Sequence, residues 1–260
     1  MKFHSNHIFK IHLAISRLRH CQGKPPVYGW IIFLLLFPAA ALHAAKSDTT
    51  IIHFSAIANG RPLVAGDSSY KNVHGEGYQI NRLQMYVSNL AMGQSTGSDV
   101  YLINVLAGDS ITVVHNDKQA GMLQFTLGVD SALNCSGAQE GALDPLLGMF
   151  WTWNSGYIFF KLEGFSPAST GSLGRIEHHI GGYRSPFNAA RKIVLPLPKK
   201  YLGTQVKPKH LYLRINLDKY WQSSRAAIKI ADQALLMAPG AAACRIANQF
   251  TEMFEWATPE

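Results

Sequence analysis

The sequence lacks the short motifs that identify several common classes of enzyme. It contains no HExxH metalloprotease motif, no paired CxxC, no glycine-rich phosphate loop and no GxSxG nucleophile motif. It also has no internal repeat and no low-complexity linker. These absences give no support to a zinc protease, a nucleotide-binding protein or an α/β-hydrolase.

Cysteine is scarce, with three residues in the chain. Cys21 lies near the N-terminus, and Cys135 and Cys244 lie in the remainder. A disulfide between Cys135 and Cys244 is expected, and it would close a loop of about 110 residues and stabilise the fold by roughly 4–5 kcal/mol. Two free thiols or a thiolate metal ligand are the alternatives.

Acidic residues are absent from the first 45 positions, and the pattern of this segment indicates a secretory signal. Five basic residues precede an apolar run at 30–38, and small residues follow at 39–45. The apolar run is shorter than the roughly 20 residues of a membrane span, although an uncleaved anchor and a later start codon are alternatives. We expect a periplasmic or secreted protein that has no membrane contact after cleavage, with residues 46–260 as one domain.

The positive charge of the chain is concentrated in this leader. It holds five of the 24 basic residues and none of the 16 acidic ones, which leaves a net charge of +3 on the rest. No stripe of Lys and Arg with interleaved aromatic residues occurs. We therefore expect no nucleic-acid partner.

The remainder of the chain has the pattern of an all-β domain. Strands are predicted at 51–57, 78–90, 100–105, 111–114, 122–129, 157–162, 175–180, 192–197 and 210–217, with turn residues between them. A long loop is predicted at 58–77 and an irregular, partly helical stretch at 130–147. Few helical periods occur, so we predict a single β-sandwich or barrel-like domain with long loops and little helix.

Histidine is the main candidate metal ligand, because imidazole is the commonest protein ligand for copper and zinc. His53 lies inside an apolar strand and needs a hydrogen-bond partner or a metal. His178 and His179 point to opposite faces of a strand, so only one of them can join His53. A structural role is the alternative for each. His74, His115 and His210 are interpreted as surface residues.

Two further groups of residues have a structural and a functional interpretation. Trp151 and Trp153 are two positions apart, a spacing typical of aromatic residues that fill a core. The alternative is a functional role, because an indole can be oxidised to a metal ligand. An oxygen-rich stretch could bind calcium, although capped turns are favoured because EF-hand spacing is absent; it comprises Asp130, Ser131, Asn134, Glu140 and Asp144.

Four segments in sequence order resemble conserved motifs of one family. They are YKN at 70–72 with INRLQMYVSNL at 80–90, FTLGVD at 125–130, GALDPLLGMFWTWNSGY at 141–157 and HIGG at 179–182. As a set they resemble the MbnP-like proteins, the methanobactin-associated copper-binding family. The resemblance covers most of the chain after the leader.

The resemblance implies an exported, non-enzymatic protein that binds one copper ion. In that family two histidines and a kynurenine made from tryptophan form the site, and a di-haem cytochrome c peroxidase-like partner of the MbnH/MauG type performs the oxidation. His179 matches the motif histidine, and His53 is chosen as the second ligand. Trp151 or Trp153 is the candidate for oxidation, and the third ligand is unassigned.

Two other functions remain as alternatives. The first is a secreted β-sandwich interaction module without metal. The second is a copper-dependent redox enzyme, since a histidine site with an open position allows such chemistry.

Overall fold

Antiparallel β-structure dominates the computed structural model, which describes residues 48–93, 95–96, 99–115, 121–152, 154–201 and 208–257. The described strands are β1 (Asp48–Ala58), β2 (Arg61–Pro62), β3 (Tyr70–Lys71), β4 (Gly77–Met92), β5 (Ser95–Thr96), β6 (Val100–Asn104), β7 (Ser110–His115), β8 (Met122–Leu127), β9 (Phe150–Thr152), β10 (Gly156–Phe165), β11 (Arg175–Gly181), β12 (Arg191–Pro196), β13 (His210–Asn216), β14 (Leu235–Leu236) and β15 (Phe254–Ala257). The predicted leader at 1–45 and Trp153 lie outside the described residues.

Helix is confined to short segments in this part of the chain. The α-helices are α1 (Ser131–Cys135), α2 (Leu217–Trp221) and α3 (Ala241–Ala247). Single 3-10 turns lie at Val105–Ala107, Gly141–Leu143, Pro145–Leu147, Ser172–Gly174, Lys199–Tyr201 and Asn248–Thr251. No helix among the described residues is long and apolar enough to cross a membrane.

The described strands form two sheets. The smaller has the order β15-β13-β1-β2, with β7 also paired to β1. The larger has the order β12-β8-β4-β10-β11-β14, and it is extended by β3, β5 and β6 on β4 and by β9 on β10. Within the smaller sheet β1 and β13 run parallel, and their register pairs His53 with Tyr212. This pairing places two strands that are far apart in sequence side by side.

A shared apolar core lies between the sheets, as expected for a β-sandwich. Ile52 and Phe54 of β1 are almost completely buried, whereas His53 between them is half-buried. Contacts across the core include Phe125 of β8 with Phe254 of β15, whose ring centroids are 5.2 Å apart. The predicted all-β sandwich is confirmed.

The alternation of apolar and polar residues in β13 explains which side chains are buried, and a helix cap explains where the strand ends. Leu211, Leu213 and Ile215 are buried, and the residues between them are more exposed. The sequence pattern predicts a strand that includes Leu217, but Leu217 begins α2 instead. The Asn216 side chain accepts a hydrogen bond from the Asp218 amide, which caps the helix and ends the strand.

The predicted disulfide is not formed. Cys135 ends α1 and is exposed, Cys244 lies within α3 and is half-buried, and both are free thiols. The carbonyl of Cys244 accepts a hydrogen bond from Arg191 of β12, whereas α1 packs against β10. The two cysteines thus lie on different elements. Without a disulfide, the expected periplasmic or secreted location depends on the predicted leader alone.

A histidine pair on the smaller sheet

The outer face of β1 carries His53. Because side chains alternate along a strand, the burial of Ile52 and Phe54 turns His53 away from the core. On this face its neighbours come from the strands at each side, Tyr212 on β13 and Ser110 on β7. His210, at the start of β13, is exposed and lies on the same face.

The two imidazoles are in direct contact. Nε2 of His53 lies 3.0 Å from Nδ1 of His210, and the ring centroids are 5.3 Å apart. Tyr212, the register partner of His53 on β13, stacks on the His53 ring with a centroid separation of 4.9 Å and an interplanar angle of 15°. Aromatic stacking restricts the ring of His53 to an orientation in which Nε2 faces His210.

This separation fits two nitrogens that share one metal ion. Ligand nitrogens at about 2.0–2.1 Å from a metal, at angles of 90–109°, lie roughly 2.8–3.4 Å apart. A linear two-nitrogen site would require about 4 Å. Without metal, one ring nitrogen must carry a proton that it donates to the other, and metal binding displaces that proton.

His179 occupies a different position. It lies on β11 in the larger sheet, it is 7% exposed, and its Nε2 is 2.8 Å from Oε1 of Glu163. Since its neighbours His178 and Ile180 enter the core, His179 points to the outer face of that sheet. The structure therefore does not bring His53 and His179 together.

Glu163 joins His179 to two cations. Its carboxylate lies 3.1 Å from Arg82 and 3.7 Å from the ammonium group of Lys161. The hydrogen bond from His179, followed by the charges of Arg82 and Lys161, outweighs burial and lowers the pKa of Glu163. Burial lowers the pKa of Lys161, which is 5% exposed. Arg and Lys in this network oppose a cation, so it is a weak metal site.

Trp151 packs on β11, the strand that carries His179. Its ring packs on Gly181, two residues after His179, where an added Cβ would lie 2.8 Å from Cζ3 of the indole. The indole nitrogen is buried and has no hydrogen-bond partner among the described residues. Trp151 thus closes the end of the larger sheet, in line with its structural interpretation.

Two other histidines are predicted to be surface residues, and the structure separates them. His115 is buried instead, at 1% exposure, and its Nε2 lies 3.0 Å from the hydroxyl of Thr50. His210 is exposed as predicted, and it is also the partner of His53. The alternation of β13 indicated its outward face, but nothing in the sequence indicated that β13 pairs with β1.

Two acids of the oxygen-rich stretch cap helical turns. Asp130 accepts from the Leu133 amide, and Asp144 accepts from the Leu146 amide. Asn134 is buried and bonds the carbonyl of Val129 and the amide of Tyr157. Across the described residues, no group of three or more His, Cys, Asp or Glu side chains is placed to hold a metal ion. The histidine pair is therefore a site with two protein donors from this part of the chain.

The fold and the pair define a class of protein: a β-sandwich domain that presents two imidazoles on the outer face of one sheet. The MbnP family model matches residues 47–240. The chain belongs to the MbnP family. The solved structure of MbnP from Methylosinus trichosporium is similar to it, with a TM-score of 0.52 and 15% identity over 72% of this chain and 80% of that chain. No curated protein matches the sequence.

Proposed function

We propose that the chain is an exported copper-binding protein in which His53 and His210 are two ligands of one copper ion. The observation that carries the proposal is the 3.0 Å separation of their ring nitrogens on a solvent-accessible face. Imidazole nitrogen suits copper, and membership of the MbnP family agrees with the metal that the sequence resemblance implied.

The role proposed is binding rather than catalysis. The pair lies on the outer face of a sheet, where Ser110 and His210 are exposed. Bound copper would remain accessible to a partner that delivers or removes it. Further donors would complete the coordination of the ion, since two imidazoles alone leave positions open.

A di-haem partner of the MbnH/MauG type remains part of the proposal, with Trp151 as the described candidate for oxidation. Conversion of one tryptophan to kynurenine adds about 4 Da, a covalent change that intact mass measures. Because Trp151 packs on Gly181 of the larger sheet, its oxidation is proposed to leave copper binding by the histidine pair unchanged. Co-expression with such a partner and mass measurement tests this step.

The central test is copper stoichiometry of protein purified from the periplasm. The wild type is expected to hold one copper per chain, and His53→Ala and His210→Ala are each expected to weaken binding at least tenfold. His179→Ala is the matched control, since it removes a histidine from the other sheet. Equal loss in all three variants, or retention in all three, would refute the assignment. A wild type that binds no copper would favour the interaction module.

A further inference from the structure

A second histidine pairs with a tyrosine inside the core. His178 is 0% exposed, and its Nδ1 lies 2.6 Å from the hydroxyl oxygen of Tyr220, which is also 0% exposed. The other ring nitrogen, Nε2, lies 2.6 Å from the carbonyl oxygen of Gln233. Tyr220 belongs to α2, and its ring also packs against Phe160 of β10. Neither residue takes part in the proposed copper site.

The carbonyl of Gln233 fixes the tautomer of His178. A carbonyl oxygen accepts hydrogen bonds and cannot donate, so Nε2 must carry the proton. Nδ1 then presents its lone pair to the phenol, and Tyr220 donates to it. In this arrangement the imidazole is neutral, and its Nδ1 is available as a base for the phenol.

Burial keeps the phenol of Tyr220 protonated, because it raises the pKa of that phenol well above its usual value. A buried phenol that loses an electron becomes strongly acidic and must lose its proton at the same time. The proton needs an acceptor within hydrogen-bond distance. Nδ1 of His178 is such an acceptor, already aligned at 2.6 Å.

Other buried tyrosines lack this arrangement. The hydroxyl of Tyr86 donates to the carbonyl of Ala142, and the hydroxyl of Tyr157 donates to the carbonyls of Gly137 and Leu143. A backbone carbonyl accepts a hydrogen bond but does not take up a proton near neutral pH. Tyr86 and Tyr157 are therefore natural controls for Tyr220.

A row of aromatic side chains leads from Tyr220 toward the surface. Ring centroids are 5.2 Å apart from Tyr220 to Trp221, 5.2 Å from Trp221 to Tyr78 and 6.0 Å from Tyr78 to Tyr70. The exposed guanidinium of Arg61 lies 4.3 Å from the ring centroid of Tyr70. Electrons can pass between oxidisable rings in such contact, and the row ends at Tyr70, which is buried beneath the exposed side chain of Arg61.

We propose that Tyr220 and His178 form a one-electron redox site, which takes up an oxidising equivalent from an external outer-sphere oxidant. One electron leaves Tyr220 through the aromatic row and reduces the oxidant. The O–H bond of Tyr220 breaks, the proton forms an N–H bond at Nδ1 of His178, and the products are a neutral tyrosyl radical and an imidazolium. Re-reduction by one electron returns the proton.

The test uses the folded protein and photogenerated tris(bipyridine)ruthenium(III) as oxidant. Electron paramagnetic resonance of the wild type is expected to show a tyrosyl radical with a hydrogen bond to its oxygen, seen as coupling to an exchangeable deuteron in D2O. Tyr220→Phe is expected to remove this component. Tyr86→Phe and Tyr157→Phe, matched in burial and in the atom removed, are expected to retain it.

The role of the base is tested separately. His178→Gln is expected to slow formation of the Tyr220 radical at least tenfold, with a circular dichroism spectrum equal to that of the wild type. If that variant does not fold, the rate of the wild type in H2O and D2O replaces it, and a rate that is at least twofold slower in D2O is expected. A radical unchanged by Tyr220→Phe, or a rate without solvent isotope effect, would overturn the proposal.

Discussion

Tyr212 stacks on His53 at an interplanar angle of 15°, and the two residues are register partners on parallel strands. The contact holds the imidazole from the side, while His210 lies within hydrogen-bond distance of its Nε2. Tyr212 is therefore expected to act on copper through the orientation of His53.

This relationship predicts a graded effect on copper affinity. Tyr212→Phe retains the stacked ring and is expected to bind copper within about twofold of the wild type. Tyr212→Ala removes a ring contact of about 1 kcal/mol, so the affinity is expected to fall about fivefold. Competition titration with a chelator of known affinity measures both. An equal loss in Tyr212→Phe would show that the hydroxyl matters instead of the stack.

Gly181 is predicted to tolerate no side chain. An added Cβ would lie 2.4 Å from the carbonyl oxygen of Tyr157 and 2.8 Å from Cζ3 of Trp151. Gly181→Ala must displace the backbone of β10 or the indole, and we expect a loss of about 2–3 kcal/mol in the free energy of unfolding. Urea denaturation measures it.

Gly77→Ala is the matched control for Gly181→Ala. Gly77 begins β4, and a Cβ there would meet no atom within 4 Å. The change is expected to be neutral or slightly stabilising, because alanine restricts the unfolded chain. Similar stabilities for the two variants would contradict the packing of Trp151 on Gly181.

The sequence pattern predicted the sandwich because period-two alternation reports directly on burial. In β13 the alternation of apolar and polar residues matches the buried and exposed positions from His210 to Asn216. The resemblance of the motifs predicted the family correctly for a related reason: HIGG reflects a local requirement, since Gly181 must admit Trp151.

The candidate site was harder to predict because it depends on strand pairing over a long range. His53 and His210 are 157 positions apart, and no local signal indicates that β1 runs parallel to β13. The pairing of His53 with His179 assumed that two strands with histidine would meet. Their sheets are different, and Glu163 on the neighbouring strand β10 forms a hydrogen bond with the ring of His179 instead.

Glu76 is predicted to hold the segment after β13 against the start of β4. Its carboxylate accepts hydrogen bonds from the amides of Ile230 and Ala231, at 2.7 and 3.0 Å. Burial raises the pKa of Glu76, but these bonds and one from Asn72 outweigh it, so the pKa is lowered. Glu76→Ala is expected to lose about 1.5–3 kcal/mol of unfolding free energy, since hydrogen bonds to a charged group are lost.

Denaturation of Asp232→Asn provides the comparison for Glu76→Ala. Asp232 is an exposed acid in the same segment, so its replacement is expected to change stability by less than about 0.5 kcal/mol. A loss as large as that of Glu76→Ala would indicate a general charge effect rather than the two amide bonds.

Both cysteines of the domain are predicted to react as thiols. Cys135 is exposed and Cys244 is half-buried, so alkylation without reductant is expected to modify Cys135 first and Cys244 more slowly. The Cys135→Ser/Cys244→Ser variant is expected to keep the melting temperature of the wild type. If the native protein took up no alkylating reagent but two equivalents after reduction, the Cys135–Cys244 disulfide would be present and this prediction would be wrong.

The buried His178 predicts a specific dependence of stability on pH. Its pKa is lowered from 6.5 to about 4 by burial, so between these values the unfolded state binds the proton and the folded state does not. The stability contributed by the neutral ring is complete above pH 6.5 and is lost as the pH falls toward 4. A shift of this size corresponds to roughly 3 kcal/mol.

The pH range separates this effect from that of the acids. Glu76 and Glu163 have lowered pKa values and ordinary values of 4.5, so they act mainly below pH 4.5. Urea denaturation between pH 7 and 4.5 is expected to show most of the His178 contribution in the wild type and in His74→Gln, which replaces an exposed histidine. In His178→Gln the slope over this range is expected to fall to a small fraction of the wild-type slope, and an unchanged slope would mean that His178 is protonated in the folded core.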